Sequence, residues 1–533
     1  MTISTKRWIY GIWLVLIAGF AALHALHLRA DFPNHTQWII DGAKYTDEGW
    51  YGNAAIRAHL FGNWYVPGDF NPAPAVPVWP FLEWLLFCVT GVSIVAARGL
   101  AIAFFFCNLG LTYLLLRSRS ARWTALLALT LLVTSPFLYA FSRLAILEPM
   151  LTALTLAALN LSIRLPRLRR PVVSSVWVGL LFTGMMLTKT TAIFLLPAMG
   201  WAVVLPLWQN RKLALRCAIA ATSAFAVTFG SWMALVAGLG LLGDYKYFFH
   251  VNHYTKPPEF YWPLVSLWWS FHGGLWVDWI LIPLAGLVVV GAAAGALMAG
   301  RGSSEGSRWG GKLVIDPVFG ASVLAVAGYI FFMTMQNHPQ PRYFAVVAFF
   351  GFMLVAQGAE ALLGEAKGPR LLGWAVIALA AVAAGFNGFQ TFEYATHPEY
   401  TFVTAIHRLA HYVDTHPNGN RLLVSISGDD ISLISHLPSL CDDFGTQDLN
   451  DRMFVYKPGW YSTWNVIDPD TLVDIHQNYS LEQVASWPAF DDPKRNLLVL
   501  FKLHPLPRGL ERDPLQQDLT EPLPGDKIEI PVD

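Results

Sequence analysis

Two adjacent carboxylates, Asp47 and Glu48, stand in the stretch YTDEGWYGNAAIRAHLFGNW, just ahead of residues with helical character. Paired carboxylates next to a bilayer can serve as general base, as metal ligands, or as both. They also suit the start of a helix, where acidic side chains meet the positive end of the dipole. A further acid, Glu148, lies in FSRLAILEPMLTAL with Arg143 shortly before it, and either pairs with that arginine or has a function. Lys189 in LTKTT and Arg342 in QNHPQPRYF, the latter followed by Tyr343, each stand between apolar runs. Basic residues there either snorkel to lipid phosphates or hold a phosphorylated head group, a job that suits the arginine fork. In DYKYFFHVNHYTKPPEFYWP, His250 and His253 have the i, i+3 spacing of metal ligands on a helix, although an aromatic loop also packs histidines at a membrane interface.

What must position these residues is a membrane protein. Of 533 residues, 55% are apolar and only 14% charged, against roughly 25% charged in a soluble domain. Mean hydropathy is +0.44, and 22 Trp, 34 Phe and 18 Tyr supply interface aromatics. The 36 basic and 36 acidic side chains cancel, which excludes a nucleic-acid binder driven by net charge. The cancellation hides a split: residues 1–391 hold 26 basic and 14 acidic side chains, residues 392–533 hold 10 and 22. The expected fold is an all-α polytopic membrane domain over 1–391 and a small, soluble, acidic α/β domain over 392–533. The four cysteines form neither a disulfide framework nor a CxxC metal site.

Apolar runs predict about eleven spans, near 8–28, 96–116, 122–140, 144–163, 172–188, 190–208, 215–240, 275–298, 315–335, 343–363 and 371–391. The run at 77–92 carries Glu83 and is too short to cross. Read as a helix dipping in from the outer face, it leaves 17 of the 26 basic residues on cytoplasmic loops, as the positive-inside rule expects. The N-terminus is then cytoplasmic, and loop 29–76 and the C-terminal domain lie outside the plasma (inner) membrane. In the tail, FVTAIHRLAHYV at 402–413 has helical spacing, and 421–427 and 496–502 read as buried strands. No Walker A, G-x-S-x-G or H-E-x-x-H motif offers another chemistry.

The ordered series of these segments resembles the GT-C superfamily of membrane glycosyltransferases, nearest the protein O-mannosyltransferase and lipid A aminoarabinose transferase branch (glycosyltransferase family 39). The resemblance rests on the acidic pair, NPAPAVPVWPFLEWLL, VSIVAARG, SPFLYAFSRLAILEPMLTAL, GLLFTGMMLTKTTAIFLLP and HPQPRYF. It implies an enzyme that takes a sugar from a polyprenyl-phosphate donor and transfers it, with inversion, at the non-cytoplasmic face. The acceptor would be a glycolipid, a polysaccharide or a protein, with membrane lipids as further partners and no nucleic acid. By motif position, Asp47, Glu48 and Glu148 are the catalytic residues, with Asp47 the general base, Glu48 beside it, and Glu148 the second acid, where relatives often carry Asp. Arg143, Lys189, Arg342 and Tyr343 lie where the lipid phosphate binds. The basic residue usual in the Pro-rich motif is missing here. No cofactor is certain; some relatives carry a divalent metal ion, for which Glu83 and His253 are the matching pair. Two rival readings follow from the same residues: a transporter or flippase of lipid-linked sugars, which should carry charges or broken helices at mid-span, and a scaffold using its acidic tail.

Overall fold

The computed structural model describes residues 3–33, 47–251, 277–300, 308–334, 340–365, 367–426, 428–467, 469–489, 496–507 and 528–529. His250 falls within the described residues; His253 does not. The chain forms two compact units. The first comprises 1–26, 99–239 and 252–397, and the second 27–98, 240–251 and 398–533. The acidic C-terminal segment therefore shares a unit with the first outer segment, a membership that a single cut near residue 392 does not express. Along the chain the helices are α1 (Ile3–His24), α2 (Glu48–Phe61), α3 (Val78–Thr90), α4 (Ile94–Arg117), α5 (Arg122–Thr134), α6 (Pro136–Ser142), α7 (Glu148–Arg164), α8 (Pro171–Thr188), α9 (Leu196–Val204), α10 (Arg211–Gly238), α11 (Leu242–Val251), α12 (Leu281–Gly300), α13 (Arg308–Val314), α14 (Pro317–Thr334), α15 (Phe344–Leu363), α16 (Lys367–Thr396), α17 (Thr401–Thr415), α18 (Gly428–Ser435), α19 (Leu449–Tyr456) and α20 (Pro469–Asn478).

The first unit is helical. Among the described residues nine segments are long and apolar enough to cross a membrane, and a tenth if α5 and α6 are one span bent by 68°. That is fewer than the eleven expected. The bend has a local cause: Pro136 has no N–H to continue the helix, and Ser135 caps the new start by accepting from the Leu138 amide at 3.2 Å. The eleventh expected span is α7, whose 17 residues are slightly short and almost wholly buried among its neighbours. α3, at 13 residues, is also short of a span. α15 (FAVVAFFGFMLVAQGAEALL) is apolar around its whole circumference, and is accordingly the most buried span. Small residues set the closest approaches: a Cβ on Gly179 of α8 would lie 2.1 Å from the Ala221 carbonyl of α10, so nothing larger than glycine fits there.

The second unit is built on a five-stranded sheet of order β2-β1-β3-β6-β5, from β1 (Leu423–Ser425), β2 (Ser439–Cys441), β3 (Trp460–Trp464), β5 (Tyr479–Pro488) and β6 (Leu497–Pro505). A small ribbon pairs β4 (Val466–Ile467) with β7 (Ile528–Glu529). β1 runs parallel to β2 and β3, while β6 is antiparallel to β3 and β5. Helix α17 lays Phe402, Ile406, Leu409 and Val413 on one face of the sheet, against Leu423, Trp460, Leu498 and Leu500. Alternate strand residues Val424, Tyr461, Val499 and Phe501 point to the other face, where Met453 of α19 and Ile475 of α20 cover them. This is the small α/β domain expected, with the helix and both strands within a few residues of their sequence positions. Asp31 ties the start of the outer segment to it. Its carboxylate accepts from the Phe402 and Val403 amides at 2.8 and 3.1 Å, capping α17, and burial pushes its pKa up to about 6.

A buried ionic chain runs through the second unit. Arg57 of α2 donates to Asp69 at 2.6 Å, and Asp69 accepts in turn from Arg452 of α19 at 2.6 Å. Arg452 also donates to the Cys441 and Phe444 carbonyls at 2.6 and 3.1 Å. Deleting one member of such a chain strands a buried charge, a loss of roughly 3–5 kcal/mol.

Candidate active site

In the first unit, breaks between helices bring charges together. α8 ends at Thr188, and Lys189 turns into an extended conformation (φ −153°, ψ 124°) before a 3₁₀ turn over Thr190–Leu195. Glu148 opens α7 one residue ahead of Pro149, where the dipole favours an acid. Arg342 and Tyr343 lie in the 3₁₀ turn Pro341–Tyr343 that leads into α15. These four side chains meet. Lys189 Nζ lies 2.5 Å from Glu148 Oε1, and Arg342 Nε lies 4.0 Å from the same oxygen. The Lys189 ammonium stands 4.2 Å over the Tyr343 ring, and the Arg342 guanidinium 5.3 Å from it, both within cation–π range. All four are buried, none more than 7% exposed. Glu148 Oε2 is buried and accepts no hydrogen bond from the described residues. The group holds two cations, one carboxylate and a ring, a composition that favours an anion.

The partner of Glu148 is thus Lys189, not Arg143. The turn over 143–147 between α6 and α7 separates the two neighbours in sequence. Arg143 is buried over the Tyr139 ring at 4.7 Å, hydrogen-bonds the Tyr139 hydroxyl, and donates to the Leu26 carbonyl at 2.6 Å.

In the second unit, Glu48 is the first residue of α2 and is held by Arg98. The guanidinium Nε and Nη2 reach the two carboxylate oxygens at 2.7 and 2.6 Å, a bidentate buried pair. Arg98 Nη1 also donates to the backbone carbonyls of Leu28, at 2.9 Å, and of Ala30. Asp47 precedes α2 at the N-cap position, partly exposed, yet its side chain makes no capping hydrogen bond. Glu83 of α3 is fully buried with Glu48 as a charged neighbour. It packs so closely on α2 that a Cβ on Gly52 would lie 2.3 Å from Glu83 Oε2. His253, its expected partner at a metal, lies outside the described residues. Among the described residues no three His, Cys, Asp or Glu side chains are grouped to hold a metal ion.

Sequence reading missed Arg98 as the partner of Glu48, and it missed two buried acids, Asp429 and Asp430, at the start of α18. Asp430 Oδ1 accepts from the Gly49 amide at 2.6 Å, and Asp429 Oδ2 accepts from Asn53 Nδ2 at 2.7 Å. Burial pushes Asp429 up to about 7, against the pull of Arg57, and raises Asp430 well above the usual carboxylate range. A signal was present: Gly-Asp-Asp follows RLLVSIS, so the acids stand just past the carboxyl end of an expected buried strand.

Comparison with known proteins supports the same architecture. Residues 72–244 match the family described as dolichyl-phosphate-mannose-protein mannosyltransferase. The structure is similar to ArnT from Cupriavidus metallidurans bound to undecaprenyl phosphate, with a TM-score of 0.58 and 13% identity over 92% of this chain and 98% of that one. It is also similar to the oligosaccharyltransferase AglB from Archaeoglobus fulgidus in complex with an inhibitory peptide and a dolichol-phosphate (TM-score 0.50, 11% identity, 93% of this chain and 74% of that one). A structure of the Archaeoglobus fulgidus oligosaccharyltransferase in complex with Zn and sulfate gives a TM-score of 0.51 at 11% identity, over 91% and 72% of the two chains. No curated protein matches by sequence. At these identities the likeness establishes the fold.

Proposed function

We propose, for a multi-pass membrane chain with the GT-C glycosyltransferase fold, that it transfers a sugar from a polyprenyl-phosphate donor to an acceptor at the extracytoplasmic face. The observation that carries this reading is the buried group of Lys189, Arg342, Tyr343 and Glu148, two cations on one carboxylate at helix breaks. Support comes from the structural neighbours: ArnT is bound to undecaprenyl phosphate, and AglB is in complex with a dolichol-phosphate.

In the proposed reaction an acceptor oxygen forms a bond to the anomeric carbon. The C1–O bond to phosphate breaks, and its electron pair stays on the departing polyprenyl phosphate. Lys189 and Arg342 stabilise that growing negative charge, the kind of term that often dominates catalysis. The acceptor's proton goes to Asp47. A single displacement inverts the anomeric carbon. Arg143 and Tyr139 lend a further cation and hydroxyl to the first unit's polar set. Should a divalent cation take part, Glu83 and His253 are the ligands we propose; no step above is routed through it.

The reading is tested with full-length protein purified in detergent and given a polyprenyl-phosphate sugar, with no membrane and no ion gradient. Release of polyprenyl phosphate coupled to glycosylated acceptor is the expected result. Movement of the donor without bond cleavage, after reconstitution, would favour the flippase instead. The 17 of 26 basic residues on the loops read as cytoplasmic also support a C-terminal domain outside the plasma membrane and a cytoplasmic N-terminus. A cysteine introduced at exposed Asp451 should then react with an impermeant maleimide on intact cells, and reaction only after lysis would refute this sidedness.

A further inference from the structure

Helix α2 begins with an orphan problem. The first amides of any helix lack partners inside it, and an Asp at the N-cap position ordinarily supplies one. Asp47 occupies that position and does not do so. The Gly49 amide is instead satisfied from a distant part of the chain, by Asp430 at 2.6 Å. The seat is shaped for this contact, since a Cβ on residue 49 would lie 2.0 Å from the Asp429 backbone carbon. One face of α2 continues along the same wall: Asn53 donates to Asp429 at 2.7 Å, and Arg57 reaches Asp429 at 3.4 Å and the Ser439 carbonyl at 3.3 Å. Positions 49, 53 and 57 are spaced four apart and so share one helical face.

The wall has a definite place in the sheet. The chain passes from β1 to its neighbour β2 on one side, then crosses to β3 on the other. β1 is therefore the point where the winding reverses, and in open α/β sheets the crevice outside the carboxyl ends of strands at such a point is where a ligand ordinarily binds. Asp429 and Asp430 follow the carboxyl end of β1, and what they hold is α2 of the same chain. Two adjacent buried acids are a costly way to seat a helix that apolar packing could hold.

We infer that the C-terminal sheet uses its ligand-binding position to seat α2, and that Asp430, by capping the helix in place of Asp47, is a positioning residue that keeps the Asp47 carboxylate turned away from its own helix. This rests on the reading of Asp47 as the base. If Asp430 is lost, the nearest substitute cap for the Gly49 amide is Asp47 itself, and a side chain that caps its helix is no longer aimed at an acceptor.

The test uses purified full-length protein and a polyprenyl-phosphate sugar. Asp430→Ala should lower kcat about 100-fold, the scale of a misplacement near 1 Å, with the donor KM within about twofold. Asp430→Asn keeps an acceptor oxygen for the Gly49 amide and should restore kcat to within about threefold of the parent. In an Asp47→Asn background, Asp430→Ala should add less than about twofold, because the two residues act as one unit. Should Asp430→Ala fail to fold, Asp430→Glu, which displaces the oxygen by one methylene, carries the same expectations. Full kcat in the folded Asp430→Ala protein, while Asp47→Asn is inactive, overturns the inference alone. So does a further drop of the full factor on the Asp47→Asn background, which would mark a purely structural role. Parental kcat in Asp47→Asn removes the base reading and this inference together.

Discussion

Arg342→Ala is expected to cut sugar transfer by about 100- to 1000-fold, the scale of losing one preorganised charge at a developing anion. Arg342 is the cleaner of the two cations to remove. Its Nε stands 4.0 Å from Glu148 Oε1, whereas Lys189 Nζ stands at 2.5 Å. Deleting Arg342 leaves a matched Lys189–Glu148 pair, so the buried charge balance survives and the fold should too. Deleting Lys189 strands Glu148 in a dry interior, and any lost activity would be confounded with lost stability. Lys189 is better approached as Lys189→Met combined with Glu148→Gln, which removes both charges. Arg342→Lys keeps the charge but loses the fork that matches phosphate oxygens, and should fall between parent and alanine. The measurement is the dependence of rate on polyprenyl-phosphate sugar, alongside thermal unfolding of the same preparations. Unchanged donor use by folded Arg342→Ala would refute the phosphate role.

What sequence alone reveals here follows the range of each physical signal. Apolar runs and local periodicity are short-range, and they locate α1, α4, α8, α10, α17 and two strands of the sheet, β1 and β6, to within a few residues. The same signal makes 144–163 one span, whereas the helix itself starts only at Glu148, after the turn over 143–147, and runs 17 residues. Pairings are long-range. Glu148 has a cation five residues before it, yet its partner Lys189 lies 41 residues on. Glu48 is held by Arg98, 50 residues away, and the Gly49 amide by Asp430 at a separation of 381. The charge split announces a soluble domain, but composition within the tail carries no trace of residues 27–98, which complete the same unit. The residues with candidate chemistry are thus legible by type, and their partners only in three dimensions.

Asp47→Asn should lower the rate by about 100- to 10,000-fold, the contribution typical of a positioned general base. The structure separates this residue from its neighbour. Glu48 has both oxygens engaged by Arg98, at 2.7 and 2.6 Å, and is buried, so it is suited to fixing the start of α2 rather than to accepting a proton. Glu48→Gln would leave Arg98 beside a neutral amide in a buried setting, and its effect should register first as lost stability, roughly 3–5 kcal/mol. Asp47 is partly exposed and its side chain takes no part in capping the helix it precedes, and the amide replacement keeps its size while removing its charge and its proton affinity. Donor KM should therefore hold within about twofold, since uniform binding is untouched when a mutation removes only a transition-state contact. Formate supplied to Asp47→Gly should recover part of the lost rate, because a small carboxylate can enter the vacated space and take the acceptor's proton. Transfer by Asp47→Asn at the parental rate would show that another group takes the proton, or that the acceptor loses it to solvent after the C1–O bond has broken.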